Sequence, residues 1–142
     1  MTDLETAVMN LDGHSVCLCK NGEWFTADGR GVSPVLKLIA ERGDLSGHSA
    51  ADIIVGKAAA MLFTKAGITA VHGRVMSEAG RKYLEERGIP CTCDTLTEKI
   101  INRAGTDVCP MEKTVMDIDG AELGYKALRA KVREMQGLPP LE

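Results

Sequence analysis

The chain has 142 residues, with 17 basic against 20 acidic side chains, a formal net charge of −3, 44% hydrophobic and 26% charged residues. Such fractions describe a soluble globular domain, and a chain of this size folds without a metal or disulfide staple. The mild acidity excludes the basic signature of a general nucleic-acid binder, and no apolar stretch reaches membrane-spanning length. The longest candidate, Ile53 to Phe63, is interrupted by Gly56 and Lys57.

The first residues, Met1-Thr2-Asp3-Leu4-Glu5, are acidic and lack the basic and apolar regions of a signal peptide. Five cysteines, an odd number, then read as free thiols in a reducing cytoplasm.

His14 to Lys20 reads as a strand that is apolar on both faces. Asn21-Gly22 follows, and both residues tolerate the positive φ of a tight hairpin turn. Glu23 to Ala27 is the return strand. Ser33-Pro34 opens a helix with a cap and a proline, and Gly43 stops it.

Ser49-Ala50-Ala51-Asp52 has the form of a capping box, predicting a buried helix to about Lys65 that ends at Gly67. Ile68 to Met76 reads as a strand, and Ser77 caps a polar helix ended by Gly88. Cys91 to Leu96 is a short strand, and a polar loop from Asn102 to Val108 leads to a helix at Cys109-Pro110. Asp119 and Glu122 suggest a last capped helix reaching about Gln136. Strands alternating with helices imply parallel pairing through right-handed crossovers. The expected architecture is a three-layer α/β/α sandwich on a mixed sheet of about four strands. It forms one domain over residues 1–142, with a core at about 10–120 and a C-terminal helix at about 120–136.

Lys57 is the one charge inside the expected buried helix. A buried lysine must be paired or face a polar cavity, so it is expected half-buried or more, its amine near Asp52, Cys109 or the carbonyls of residues 102–108. Asp52 reads first as the capping acid and second as a counter-charge at the mouth of the same pocket. His48, just before this helix, could reach that mouth too.

Cys109 falls at a helix start, where the dipole favours the thiolate, so it reads as a nucleophile or as a small buried residue. Glu112 could close the cap or move protons, with Lys113 beside it. Asn102, Gly105 and Thr106 are turn residues first and ligand contacts second, and Ser77 joins the ligand contacts. The pairs Cys17/Cys19 and Cys91/Cys93 each place two thiols on one face of a strand. They read as packing residues, because C-x-C lacks the turn of a zinc knuckle.

The segments Gly43–Gly47, Ala51–Ala60 and Ile101–Lys113, the last containing Asn102-Arg103 and Cys109-Pro110-Met111-Glu112-Lys113, resemble domain-of-unknown-function family 1893 over about residues 10–120. The resemblance implies a cytidine-deaminase-like fold. It does not imply deamination, because a zinc deaminase opens its buried helix with a ligand and a glutamate two residues on. Here Val55-Gly56-Lys57 stands in that place, and Met76-Ser77-Glu78-Ala79-Gly80-Arg81 replaces P-C-x-x-C.

Three functions remain. One is a metal-independent enzyme with Cys109 as nucleophile, Lys57 as activating cation and Glu112 as proton shuttle. A second is a non-catalytic module binding a small anionic or nucleotide-like ligand through Lys57, Asp52, Ser77, Asn102, Thr106 and Lys113. The third is an oligomeric scaffold. The expected partners are a small molecule and further copies of the chain, with no membrane or nucleic acid, and neither a metal nor another cofactor is expected.

Overall fold

The computed structural model describes residues 1–139. Five strands form one mixed sheet in the order β2-β1-β3-β4-β5. Strands β1 (Val16–Lys20) and β2 (Glu23–Ala27) make the expected antiparallel hairpin, with positive φ at Asn21 and Gly22. Strand β1 also pairs antiparallel with β3 (Ser49–Val55). Strands β3, β4 (Ala70–Ser77) and β5 (Cys91–Thr97) are parallel.

An unanticipated helix, α1 (Asp3–Met9), covers β1, β3 and β4 on one face. Its start is a capping box: Glu5 N donates to Thr2 Oγ1 at 3.1 Å and Thr2 N to Glu5 Oε1 at 2.9 Å. Asp3 fastens the helix to the hairpin, accepting from Asn21 N at 2.9 Å and Gly22 N at 3.0 Å. Beneath it Ala7, Leu11, Cys17, Cys19 and Ala51 form a small core.

The opposite face carries the main core and the other helices, α2 (Ser33–Arg42), α3 (Lys57–Ala66), α4 (Glu78–Glu86), α5 (Pro110–Val115) and α6 (Ala121–Met135). Helix α3 lies at their centre, touching α2, α4, α5 and α6 with Ala58 to Phe63 buried.

The expected helix start at Ser49–Asp52 is overturned, since these residues lie in β3 and helix α3 begins only at Lys57, after Gly56. Residues 49–52 of this central strand are all buried, so they lose the alternation of a half-exposed strand and read like a buried helix. The β-branched run Ile53-Ile54-Val55 favours the strand. Two smaller differences concern caps. Ser33 lies inside α2 without a side-chain cap, and α6 is entered through Gly120, not capped by Asp119.

All five cysteines are free thiols. Cys17 and Cys19 are fully buried, and burial pushes the Cys17 thiol up to about 11. Cys91, Cys93 and Cys109 are partly buried against the main core. Brief alkylation at neutral pH, followed by peptide mapping, is expected to spare Cys17 and Cys19 while modifying the other three, because the reagent needs an accessible thiolate.

Candidate functional site

Open α/β sheets gather ligand-binding groups beyond the carboxyl ends of their parallel strands. Here a cleft of about 390 Å³ opens at that edge. Lys57 enters it just after β3, Ser77 and Ala79 from the β4–α4 junction, and Glu98, Lys99 and Ile100 from the chain after β5. Lys82, Tyr83 and Glu86 line it from α4, Val108 and Glu112 from the start of α5, and Met116 and Asp119 from the turn before α6.

Three of the residues singled out from sequence therefore meet: Lys57, Ser77 and Glu112. Lys57 is half-buried as expected, but its Nζ donates to the Met116 carbonyl at 3.2 Å. That partner is neither Asp52 nor Cys109 nor a carbonyl of residues 102–108. Ser77 is 1% exposed, and its Oγ accepts from Gly80 N at 3.0 Å, capping α4.

Glu112 reaches across from α5 to the N-terminus of α3. Its carboxylate accepts from Lys57 N at 2.7 Å and Ala58 N at 3.0 Å, two donors that no α3 carbonyl can satisfy. Burial raises its pKa, opposed by these two amides and by the Lys57 charge. The approach is possible because residue 56 is glycine: a methyl there would collide with the carboxylate. Gly80 also packs closely, since its Cβ would lie 2.9 Å from the Val55 carbonyl oxygen. Glu112 thus caps a neighbouring helix, α3, and not its own helix α5, whose start at Cys109 has no side-chain cap.

The remaining expected contacts fall elsewhere. Asp52 is 7% exposed within β3 and is not a lining residue; burial pushes its carboxyl up to about 7, opposed by the amides of Ile54 and Ile53. Asn102 and Thr106 close their own loop, with Asn102 Oδ1 accepting from Thr106 N at 3.0 Å and Nδ2 donating to Thr106 Oγ1 at 3.2 Å. Lys113 is paired with Asp107 of the same loop. Cys109 stands at the entry to α5, packed against the main core, and its neighbour Val108 lines the cleft in its place. His48 Nδ1 donates to the Leu45 carbonyl at 2.8 Å, and its ring meets Phe25 edge-on.

The contribution of α4 was missed. Its signal was present: residues 79, 82, 83 and 86 recur at helical spacing and share one face. Tyr83 is held there by its hydroxyl, which donates to the Asp119 carbonyl at 2.7 Å, and by the Arg87 guanidinium 3.4 Å over its ring. The charges facing the cleft are mixed, Lys57, Lys82 and Lys99 against Glu86, Glu98, Glu112 and Asp119. Glu112 differs from the other acids in spending both oxygens on backbone amides. Among the described residues, no three His, Cys, Asp or Glu side chains are grouped so as to hold a metal ion, and no helix is long and apolar enough to cross a membrane.

A family model described as TM1506, domain of unknown function (DUF1893), matches residues 6–132. Among solved structures, the chain is similar to a DUF1893 family protein (TM1506) from Thermotoga maritima, determined in a crystal at 2.70 Å resolution. The two share 26% identity and a TM-score of 0.79, over 87% of this chain and 84% of that one. No curated protein matches the chain.

Proposed function

The chain belongs to the DUF1893 family, and from that premise we propose that it is a binding module for a small anionic ligand held in the cleft beside Lys57. The observation that carries this reading is the convergence of Lys57, Lys82 and Lys99 from three separate segments on one cleft. Glu112, the acid nearest the α3 N-terminus, has its charge taken up by two amides. Lys57 contributes a half-buried cation whose present partner is a neutral carbonyl, so an entering anion gains a counter-charge without first displacing a carboxylate.

Binding is a better reading than cysteine catalysis because Cys109 is packed against the core beside the cleft, while Glu112 is occupied as a cap. The cytidine-deaminase-like fold belongs to the same proposal. It is supported by the order of the parallel strands and by a buried helix whose first residues face the cleft. In that comparison a lysine stands where a deaminase places its proton-shuttling glutamate, which suits retention of an anion and not activation of water.

The test is thermal unfolding against a panel of nucleoside monophosphates, sugar phosphates and dicarboxylates. At a hundredfold excess over the dissociation constant, a bound member stabilises by about 2.7 kcal/mol. Lys57→Met is expected to remove the response, and Lys113→Met, altered on α5 outside the cleft lining, to retain it. A panel that leaves the wild-type melting temperature unmoved, or an equal response from Lys57→Met, overturns the reading.

A further inference from the structure

On the sheet face opposite the main core, the register sets Ala51 of β3, His72 of β4 and Thr92 of β5 side by side. Helix α1 covers β1, β3 and part of β4 on this face, and Thr92 and Asp94 on β5 are exposed. His72 is 8% exposed, so its imidazole is held in a fixed place between covered and open sheet.

Both ring nitrogens face useful groups. Nδ1 lies 2.7 Å from Thr92 Oγ1. Nε2 lies 3.3 Å from Asp94 Oδ1, at an angle that leaves this buried nitrogen without a hydrogen bond. A carboxylate on that side favours the tautomer with its proton on Nε2. Nδ1 is then the acceptor, and the Thr92 hydroxyl donates to it. An exposed hydroxyl, a buried imidazole and a carboxylate in this order form the arrangement that activates an alcohol nucleophile.

We infer that Thr92 is an acyl-accepting nucleophile, with His72 as its general base and Asp94 as the residue that positions the imidazole. The substrate class is an activated acyl donor, an ester or thioester. Thr92 Oγ attacks the acyl carbon, its proton passes to His72 Nδ1, and the carbon–oxygen or carbon–sulfur bond of the donor breaks. The departing alcohol or thiol takes the proton back from His72, and an ester remains on Thr92. Asp94 faces the positive charge that the ring carries between the two transfers. This site lies on the other side of the sheet from the cleft and does not depend on the ligand proposed there.

The experiment uses 4-nitrophenyl acetate as the acyl donor, with nitrophenolate release followed in time and the ester located by peptide mapping. Thr95 and Thr97 are internal comparators, being on the same strand without an adjacent imidazole. General-base assistance is worth about a hundredfold or more, so acetylation at Thr92 is expected to exceed that at Thr95 and Thr97 by about this factor. Thr92→Ser should keep the reaction and Thr92→Val should abolish it. His72→Gln should lower it to the level of the comparators. Asp94→Asn should slow it, and Asp94→Glu should restore it, a rescue that a purely structural carboxylate would not produce. Acetylation of Thr92 no faster than of Thr95 and Thr97 in the wild-type protein overturns the inference, whatever the variants do.

Discussion

Asp52→Asn is expected to make the protein more stable at pH 8 and to flatten its stability between pH 4 and 7. The carboxyl is buried in a central strand, and burial raises its pKa from 3.8 to about 7 against the weaker pull of two backbone amides. The folded chain therefore holds a proton here that the unfolded chain releases near pH 3.8. Stability from this group is complete below that value, declines as pH rises, and is gone above about 7. The displacement corresponds to about 4 kcal/mol at most. Asparagine keeps an oxygen for the Ile54 amide and carries no charge. Urea denaturation of both proteins at pH 5 and pH 8 measures the difference. Glu112, whose pKa is also raised, contributes with the same sign to both proteins. The comparison therefore isolates residue 52, and equal pH slopes for the two proteins would contradict the assignment.

The second large effect concerns the joint between α3 and α5. Glu112→Ala leaves the amides of Lys57 and Ala58 without acceptors at the start of the central helix. Hydrogen bonds to a charged group contribute about 1.5–3 kcal/mol each, and an N-cap about 1 kcal/mol. We expect a loss of about 2–3 kcal/mol in urea denaturation. Gly56→Ala should be costly in the wild-type background, because its methyl and the Glu112 carboxylate compete for one space. In the Glu112→Ala background that cost should fall by about 1 kcal/mol or more, a coupling typical of residues in contact. Strict additivity would show that the carboxylate does not occupy this position in solution.

Much of the fold can be read locally. Asn21-Gly22 specifies the hairpin because few residues accept positive φ at both turn positions. Gly67 and Gly88 take positive φ where the sequence ended its helices, and Ser77 caps α4 through its own hydroxyl. Helix α1 is equally readable, since Thr2-Asp3-Leu4-Glu5 carries the spacing of a capping box, with Thr2 at the cap and Glu5 three residues on. It was passed over because its seven residues bury only Ala7, leaving almost no apolar stripe.

The candidate site divides the same way. Lys57, Ser77 and Glu112 stand out in sequence because a charge in an apolar run, a capping hydroxyl and an acid after proline are locally unusual. Their meeting is decided by the sheet, which carries the ends of β3, β4 and β5 to one edge. The same holds for the partners: Glu112 caps a helix 54 residues away from its own position in the chain, counted to Ala58. Asn102 and Lys113, as unusual by composition, turn back on their own loop.

Tight turns, the local caps made by Thr2 and Ser77, and the periodicity of half-buried elements are determined by the sequence alone, because each depends on interactions among residues a few positions apart. The identity of β3, the partner of Lys57 and the neutral state favoured at Asp52 were decided only by tertiary structure. A strand whose first four residues are all buried carries no periodic trace of its geometry there, and the energy of a buried charge depends on whatever the rest of the chain brings beside it.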